Sequence, residues 1–211
     1  EIILRPYQFC NLSEVVVKAT DDLKSLSNKV RLATIIGTLQ STLTKFPYLR
    51  KVWQNNTEEE RLLGVSLTGI MDNPLLTTKN KGLAQMLDHL RHVAIDTNKE
   101  WSERLGVQQS TAITCVKPSG TVSQLVDSAS GIHARHSPYY YRTVRGDNKD
   151  PITQFMKDQG IPSELCVGKP HTTTVFTFPV AAPKNAVTRD DMTAIEQLEM
   201  WLTYQRHWCE H

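Results

Sequence analysis

Thr111-Ala-Ile-Thr-Cys-Val-Lys117, followed by Pro118-Ser-Gly-Thr-Val-Ser123, is the stretch whose residue types and spacing could do chemistry. The first run is β-branched and mostly apolar, as in a strand covered on both faces. Pro118 stops the ladder, and Gly120 lets the backbone come close to a guest. Ser119 or Thr121 then serves as N-cap for a helix through Gln124, Leu125 and Val126. The free N–H groups of that first turn, the neighbouring hydroxyls and the helix dipole together form an anion cradle. Phosphate is the expected guest, and Lys117 places a cation within reach of it. The same spacing also serves an ordinary strand–turn–helix junction that binds nothing.

Two further clusters carry chemical side chains. His207, Cys209 and His211 stand at i, i+2 and i+4, a spacing that does not put all three on one helical face, so no metal site is expected. Tyr139-Tyr-Tyr141 with Arg142 and Arg145 suits stacking on a base, and equally a loop packing its rings on a rim. Four cysteines (Cys10, Cys115, Cys166, Cys209) lie far apart without CxxC spacing, which points to a reducing cytoplasm rather than a disulfide framework. A formal net charge of +2 excludes general polyanion binding, so nucleic acid is not an expected partner and any nucleotide recognition must be local. No apolar run approaches membrane-spanning length, and nothing resembles a signal peptide.

The elements that must hold these residues alternate between strand-like and helix-like. Extended pieces are expected at Glu1–Leu4 and Glu14–Val17. A helix over Asn28–Phe46 follows from Val30, Ala33, Ile36, Leu39 and Leu43, ending before Pro47. Leu62–Ile70, with Gly64 and Gly69, reads as a helix tip leading into a short buried strand. Lys81–Leu105 is the longest helical pattern, closed by Gly106. His133–Asp150 reads as a polar, aromatic loop, Pro151–Gln159 as a short helix capped by Gly160. Thr172-Thr-Thr-Val-Phe-Thr-Phe178 is a strand ended by Pro179, and Thr188-Arg-Asp-Asp caps a last helix from Met192 to about His207. The alternation predicts an α/β sheet or barrel with mostly parallel strands, whose ligands collect at the strands' carboxyl ends. The chain begins at Glu1 on strand-like residues with no preceding cap and stops at Trp208-Cys-Glu-His211, so both ends are expected to be truncated.

Glu1-Ile-Ile-Leu-Arg-Pro-Tyr-Gln-Phe-Cys-Asn-Leu-Ser-Glu-Val15 closely resembles the active-site stretch of monomeric, adenosylcobalamin-dependent (class II) ribonucleoside-triphosphate reductases. Lys117-Pro-Ser-Gly-Thr-Val-Ser123, with Gly131-Ile-His-Ala-Arg-His136 downstream, is similar to that family's substrate-phosphate loop and its sequel. Arg61–Gly69 and the Tyr204–His211 ending fit as well. The resemblance implies a ten-stranded α/β barrel, of which residues 1–211 form the later part of one catalytic domain. It implies reduction of ribonucleoside triphosphates to 2′-deoxyribonucleoside triphosphates by thiyl-radical chemistry. Adenosylcobalamin is then the radical source, thioredoxin the outside reductant, and the enzyme a cytoplasmic monomer.

Residue by residue, the resemblance makes Glu1 the carboxylate that accepts a ribose proton, which is general-base work. The radical-bearing Cys of the family stands two residues before that Glu and is not in this sequence. Cys10 becomes one member of the redox-active thiol pair, its partner lying on an earlier barrel strand. Ser119, Gly120, Thr121, Val122 and Ser123 become donors to the substrate phosphates, holding the ribose rigidly below the reactive sulfur. By residue type alone, Glu1 is a solvated charge, Cys10 a buried structural thiol and Cys115 core. Three other readings stay open: the large subunit of a di-metal-dependent (class I) reductase, a non-catalytic nucleotide-phosphate-binding barrel fragment, and an unrelated phosphate-binding α/β barrel enzyme.

Overall fold

The computed structural model describes residues 2–211, in two compact units: one of residues 2–135 and 185–211, the other of His136–Lys184. Glu1 therefore lies outside the described residues.

The first unit is built on a parallel sheet. β1 (Asn11–Val16) lies beside β2 (Leu63–Thr68), with Asn11 opposite Leu63 and Val16 opposite Thr68. Parallel neighbours need a long crossover, supplied by α1 (Leu23–Gln40) and α2 (Lys51–Glu60). Asp22 and Ser25 start α1 as a reciprocal cap, with Ser25 N–H donating to Asp22 Oδ1 at 2.7 Å. The buried strand expected within Leu62–Ile70 is present as β2, and all six of its residues are buried. Gly69 ends it at φ +84°, where a side chain would strike the Val17 carbonyl. α3 (Leu83–Leu105) matches the longest periodic segment, and Gly106 closes it in the left-handed conformation (φ +65°) as the sequence predicts.

The expected strand at 111–117 is less regular. Its one strand-type bridge joins Thr114 to Val65 on the far side of β2 from β1, and Cys115 N–H donates to the Val65 carbonyl at 3.0 Å. The helix after it, α4 (Val122–Leu125), is a single turn.

The second unit is an antiparallel sheet in the order β3-β5-β4, with α5 (Pro151–Asp158) between its first two strands in sequence. β3 (Tyr139–Asp147) occupies the segment expected to be a loop. Most of its side chains are exposed, so no apolar alternation marks it as a strand. β4 (Ser163–Leu165) pairs with β5 (Thr173–Ala181) only as far as Phe176. The strand expected to stop at Pro179 runs on through it. Beyond Thr177, whose N–H still donates to the Pro162 carbonyl, β5 has β3 on one side alone, so a residue without an N–H is tolerated at Pro179.

The chain then returns to the first unit and ends in α6 (Ala194–His207), capped by Thr193 and Glu196. Thr188, expected as that cap, instead closes a 3-10 turn with Asp191, the two side chains bonded at 2.7 Å.

Strand alternation divides the first unit's sheet into two faces. Val15, Leu63, Val65 and Leu67 join one core with Leu26, Val30 and Ala33 of α1, Leu87, Leu90 and Ala94 of α3, and Met200 and Tyr204 of α6. α3 packs against both α1 and α6. Ile36, Leu39 and Leu43, counted with the core from their spacing, form instead an exposed stripe on and just beyond α1 with Leu32. The buried face carries Thr34, Gly37 and Thr38 in their place.

Candidate functional site

The sheet face turned away from these helices carries the chemistry. Leu12 and Glu14 of β1 point to it, as do Gly64, Ser66 and Thr68 of β2. Cys10 precedes β1 and shares this face. A Cβ built on Gly64 would stand 3.2 Å from Cys10 Sγ, 2.6 Å from Leu12 Cδ2 and 2.9 Å from Ile2 Cδ1. The glycine thus leaves the central strand bare where the thiol lies. Burial pushes the Cys10 thiol up to about 12, and the Lys117 cation works against that rise.

Lys117 does not turn toward the anion cradle as expected. Its Nζ pairs with Glu14 Oε2, which also accepts from Ser66 Oγ at 2.6 Å. Both charged side chains are buried, at 10% and 8% exposure, so this is an interior ion pair and not a surface contact. The other carboxylate oxygen, Glu14 Oε1, is buried without a hydrogen-bond partner.

The turn after Lys117 is anchored from downstream. Thr68 Oγ1 donates to the Ala129 carbonyl at 3.1 Å and accepts from Gly131 N–H at 2.9 Å. Ala129 N–H donates to Asp72 Oδ2 at 2.7 Å, and Arg135 clasps the same carboxylate through Nε (2.9 Å) and Nη2 (2.8 Å). These bonds fix residues 129–135 to the carboxyl end of β2, which is where a ligand is expected in such a sheet.

Within the turn, Gly120 takes φ +58° with open space where a Cβ would be. Ser119 and Ser123 are buried and face each other, Oγ to Oγ at 2.9 Å, with Ser130 Oγ 3.0 Å from Ser119 Oγ. Gly120 and Thr121 are exposed and Val122 is half-buried. Thr121 precedes α4 without a side-chain cap bond. The inward pairing of the two serines leaves the Thr121 hydroxyl and the exposed backbone of the turn as the groups facing solvent.

A cleft of about 550 Å³ lies beside these elements, a size that suits a nucleotide-scale ligand. Val116, Lys117 and Pro118 line it, with Gly131–His133, Trp201, Gln205, His211 and Ile3. Neither Cys10 nor residues 119–123 line it. The cleft instead borders the residue whose charge reaches Cys10 and the proline that opens the turn. No carboxylate is among its lining residues, whereas a lysine and two histidines are.

The remaining candidates have separate partners. His207 Nδ1 sits 3.0 Å from Asp88 Oδ2, and His211 Nε2 donates to the Leu63 carbonyl at 2.8 Å. Cys209 is buried and accepts from the Val116 backbone. Among the described residues no three His, Cys, Asp or Glu side chains form a metal-holding group. Tyr139 and Tyr141 are exposed on β3, and Cys166 is buried after β4. The pairs Glu14–Lys117 and Asp72–Arg135 were missed by sequence reasoning. The signal for Glu14 was present, since it lies four residues from Cys10 along an extended chain and so on the same face.

Three thiols of this unit are raised, chiefly by burial: Cys10 and Cys115 to about 12 and Cys209 to about 11. Cys115 is raised further by the other two thiols and by Glu14, and lowered by Lys117. Folding therefore keeps protons that the unfolded chain releases near its ordinary thiol value of 9.0. Between about pH 9 and pH 12 the folded state binds more protons, so stability falls as pH rises. The urea midpoint is expected to be lower at pH 10.5 than at pH 8, and changing Cys115 to alanine is expected to shrink that difference. An equal midpoint at both pH values contradicts the assignment.

No family model matches the chain. In solved structures, it matches a B12-dependent (class II) ribonucleotide reductase with TM-score 0.80 at 24% identity, over 99% of this chain and 32% of that one. The fold is accordingly mixed α/β of the class II ribonucleotide reductase type. By sequence, the chain is similar from end to end to a segment of adenosylcobalamin-dependent ribonucleoside-triphosphate reductases. The protein of that name from Euglena gracilis is 32% identical over 214 residues, covering 99% of this chain and 28% of the relative. That from Lactobacillus gasseri is 27% identical over 243 residues, covering all of this chain and 32% of the relative. The chain thus spans about a third of the length of the curated relatives it matches.

Proposed function

We propose that this chain is the later part of the catalytic domain of a ribonucleoside-triphosphate reductase, whose parent protein makes 2′-deoxyribonucleoside triphosphates with adenosylcobalamin as cofactor. The observation that carries this reading is the helix-free face of the parallel sheet. It holds the Cys10 thiol over Gly64, and at its carboxyl end lie the Lys117–Ser123 turn and a cleft of nucleotide size lined by cationic and neutral groups. Cys10 is the redox-active thiol. Ser119, Gly120, Thr121, Val122 and Ser123 hold the substrate phosphates, and Glu1 serves the ribose. A thioredoxin-type dithiol protein restores the reduced thiols, in the cytoplasm, and the parent acts as a single subunit.

Edges left open on both layers support the reading of a ten-stranded barrel. β1 has β2 on one side and no partner on the other among the described residues. In the helical layer, α1 and α6 flank α3, and each shows an apolar stripe outward: Leu32, Ile36 and Leu39 on the first, Ile195, Leu198 and Leu202 on the second. Sheet and helices that stop in this way continue into further strands and helices of the parent. Adenosylcobalamin brings its cobalt already held in a corrin ring, so it asks for no cluster of metal-ligating side chains from this chain.

The deciding experiment supplies the full-length parent with a ribonucleoside triphosphate, a dithiol and adenosylcobalamin. Deoxynucleotide is expected, and none when the cofactor is omitted or photolysed first. Product that depends instead on a di-metal subunit assigns the chain to that class. Nucleotide binding without product under either condition leaves a binding module.

A further inference from the structure

We infer that Lys117 governs the reactivity of the Cys10 thiol, with Glu14 as the counter-charge that anchors the lysine on the same sheet face. The inference rests on the reading of Cys10 as a redox thiol and adds the group that tunes it.

Three observations place the lysine in this role. Cys10 lies over Gly64 of β2, beside Leu12 and Ile2, and Glu14 accepts from Ser66, the next residue of β2 on the same face, so the thiol and the Glu14–Lys117 pair occupy neighbouring positions of one sheet face. Lys117 stands at the end of that segment, pairs with Glu14 and lines the cleft. Lys117 is also the charge that acts on Cys10, opposing the effect of burial, whereas Glu14 acts on Cys115. Other titratable groups on the surrounding elements are engaged elsewhere or neutral. Glu60 holds Gln8 and Arg5, His211 donates to the Leu63 carbonyl, and Cys115 and Cys209 are buried thiols.

The chemistry needs a cation at this point. When an outside dithiol reopens a disulfide at Cys10, the dithiol is oxidised to its own disulfide and the protein S–S bond breaks. The Cys10 sulfur leaves with the bonding electron pair and then takes a proton. A buried sulfur leaves slowly as an anion unless a positive charge compensates it. A lysine tied to a carboxylate is held in place for that purpose without ion pairing to the thiol permanently.

The test follows alkylation of Cys10 by iodoacetamide in the full-length parent between pH 7 and pH 11, read by mass spectrometry on the peptide that carries it. Lys117→Met is expected to slow alkylation at a given pH by about tenfold, equivalent to one unit in the thiol's midpoint. Lys117→Arg is expected to restore the rate. Glu14→Gln, which keeps the lysine and removes its counter-charge, is expected to speed alkylation. A purely structural ion pair predicts the same direction for both variants, since loss of either partner then loosens the site and both rates move together. Matching shifts for Lys117→Met and Glu14→Gln, or no shift in Lys117→Met, overturn the inference. Because alkylation requires no turnover, failure of the reductase reading shows separately, as wild-type protein that makes no deoxynucleotide.

Discussion

Replacing Asp72 by alanine is expected to destabilise the first unit by about 3–5 kcal/mol, the cost typical of removing one partner of a buried ion pair. Asp72 and Arg135 are 2% and 3% exposed, and the guanidinium meets both carboxylate oxygens. Removing the carboxylate takes from the buried guanidinium both oxygens it meets most closely, leaving it Asp127 at 3.6 Å near the surface, and takes the acceptor from Ala129 N–H. The exposed pair Arg104–Glu100 sets the contrast. Its distance is shorter, 2.6 Å, yet solvent screens it, and its loss is expected to cost about 0–1 kcal/mol. Urea unfolding of Asp72→Ala beside Glu100→Ala checks both values. The double change Asp72→Ala with Arg135→Met is expected to cost less than Asp72→Ala alone, because no buried charge remains. If Asp72→Ala costs no more than Glu100→Ala, the clasp does not hold the 129–135 segment.

Cys10→Ser in the full-length parent is expected to lower sustained nucleotide reduction by about a thousandfold or more, the scale seen when an obligatory catalytic group is removed. Serine fits the space over Gly64, so the fold and the cleft are expected to stay intact. A hydroxyl, however, neither closes a disulfide nor gives up electrons to the substrate. Nucleotide affinity, measured by equilibrium binding, is expected to remain within about threefold of wild type, since Cys10 does not line the cleft. A variant that keeps more than about a tenth of wild-type turnover removes Cys10 from the electron path.

What the sequence revealed of this fold depended on how local each signal was. α3 was legible because 23 residues of periodic apolar spacing end in a glycine that only a left-handed cap explains. β2 was legible as an unbroken buried run. β3 was not, because most of its side chains reach solvent and it has no alternation to see. The apolar spacing of α1 merged two faces, since Val30 and Ala33 are buried while Ile36, Leu39 and Leu43 are not. The polar residues Thr34 and Thr38 fill the buried side by donating to the Val30 and Thr34 carbonyls one turn back.

The candidate site divides in the same way. Cys10 and the 118–123 turn stood out because each is a short motif. Glu14–Lys117 and Asp72–Arg135 did not, because their partners are 103 and 63 residues apart in the chain and only the folded sheet unites them. The orientation of Lys117 was misread for that reason. A lysine beside a phosphate turn looks like a phosphate ligand until an acid from another strand is known to hold it.

The outward row Leu32, Ile36, Leu39 and Leu43 also bears on how this polypeptide behaves in the test tube. Four branched side chains on and just beyond one side of α1, in a unit whose strand β1 has an outer edge unpaired among the described residues, are adhesive in water. Expressed by itself, the 211-residue chain is expected to clump or to seek a carrier, and polar replacements along that row are expected to bring it into solution without touching the thiol or the turn.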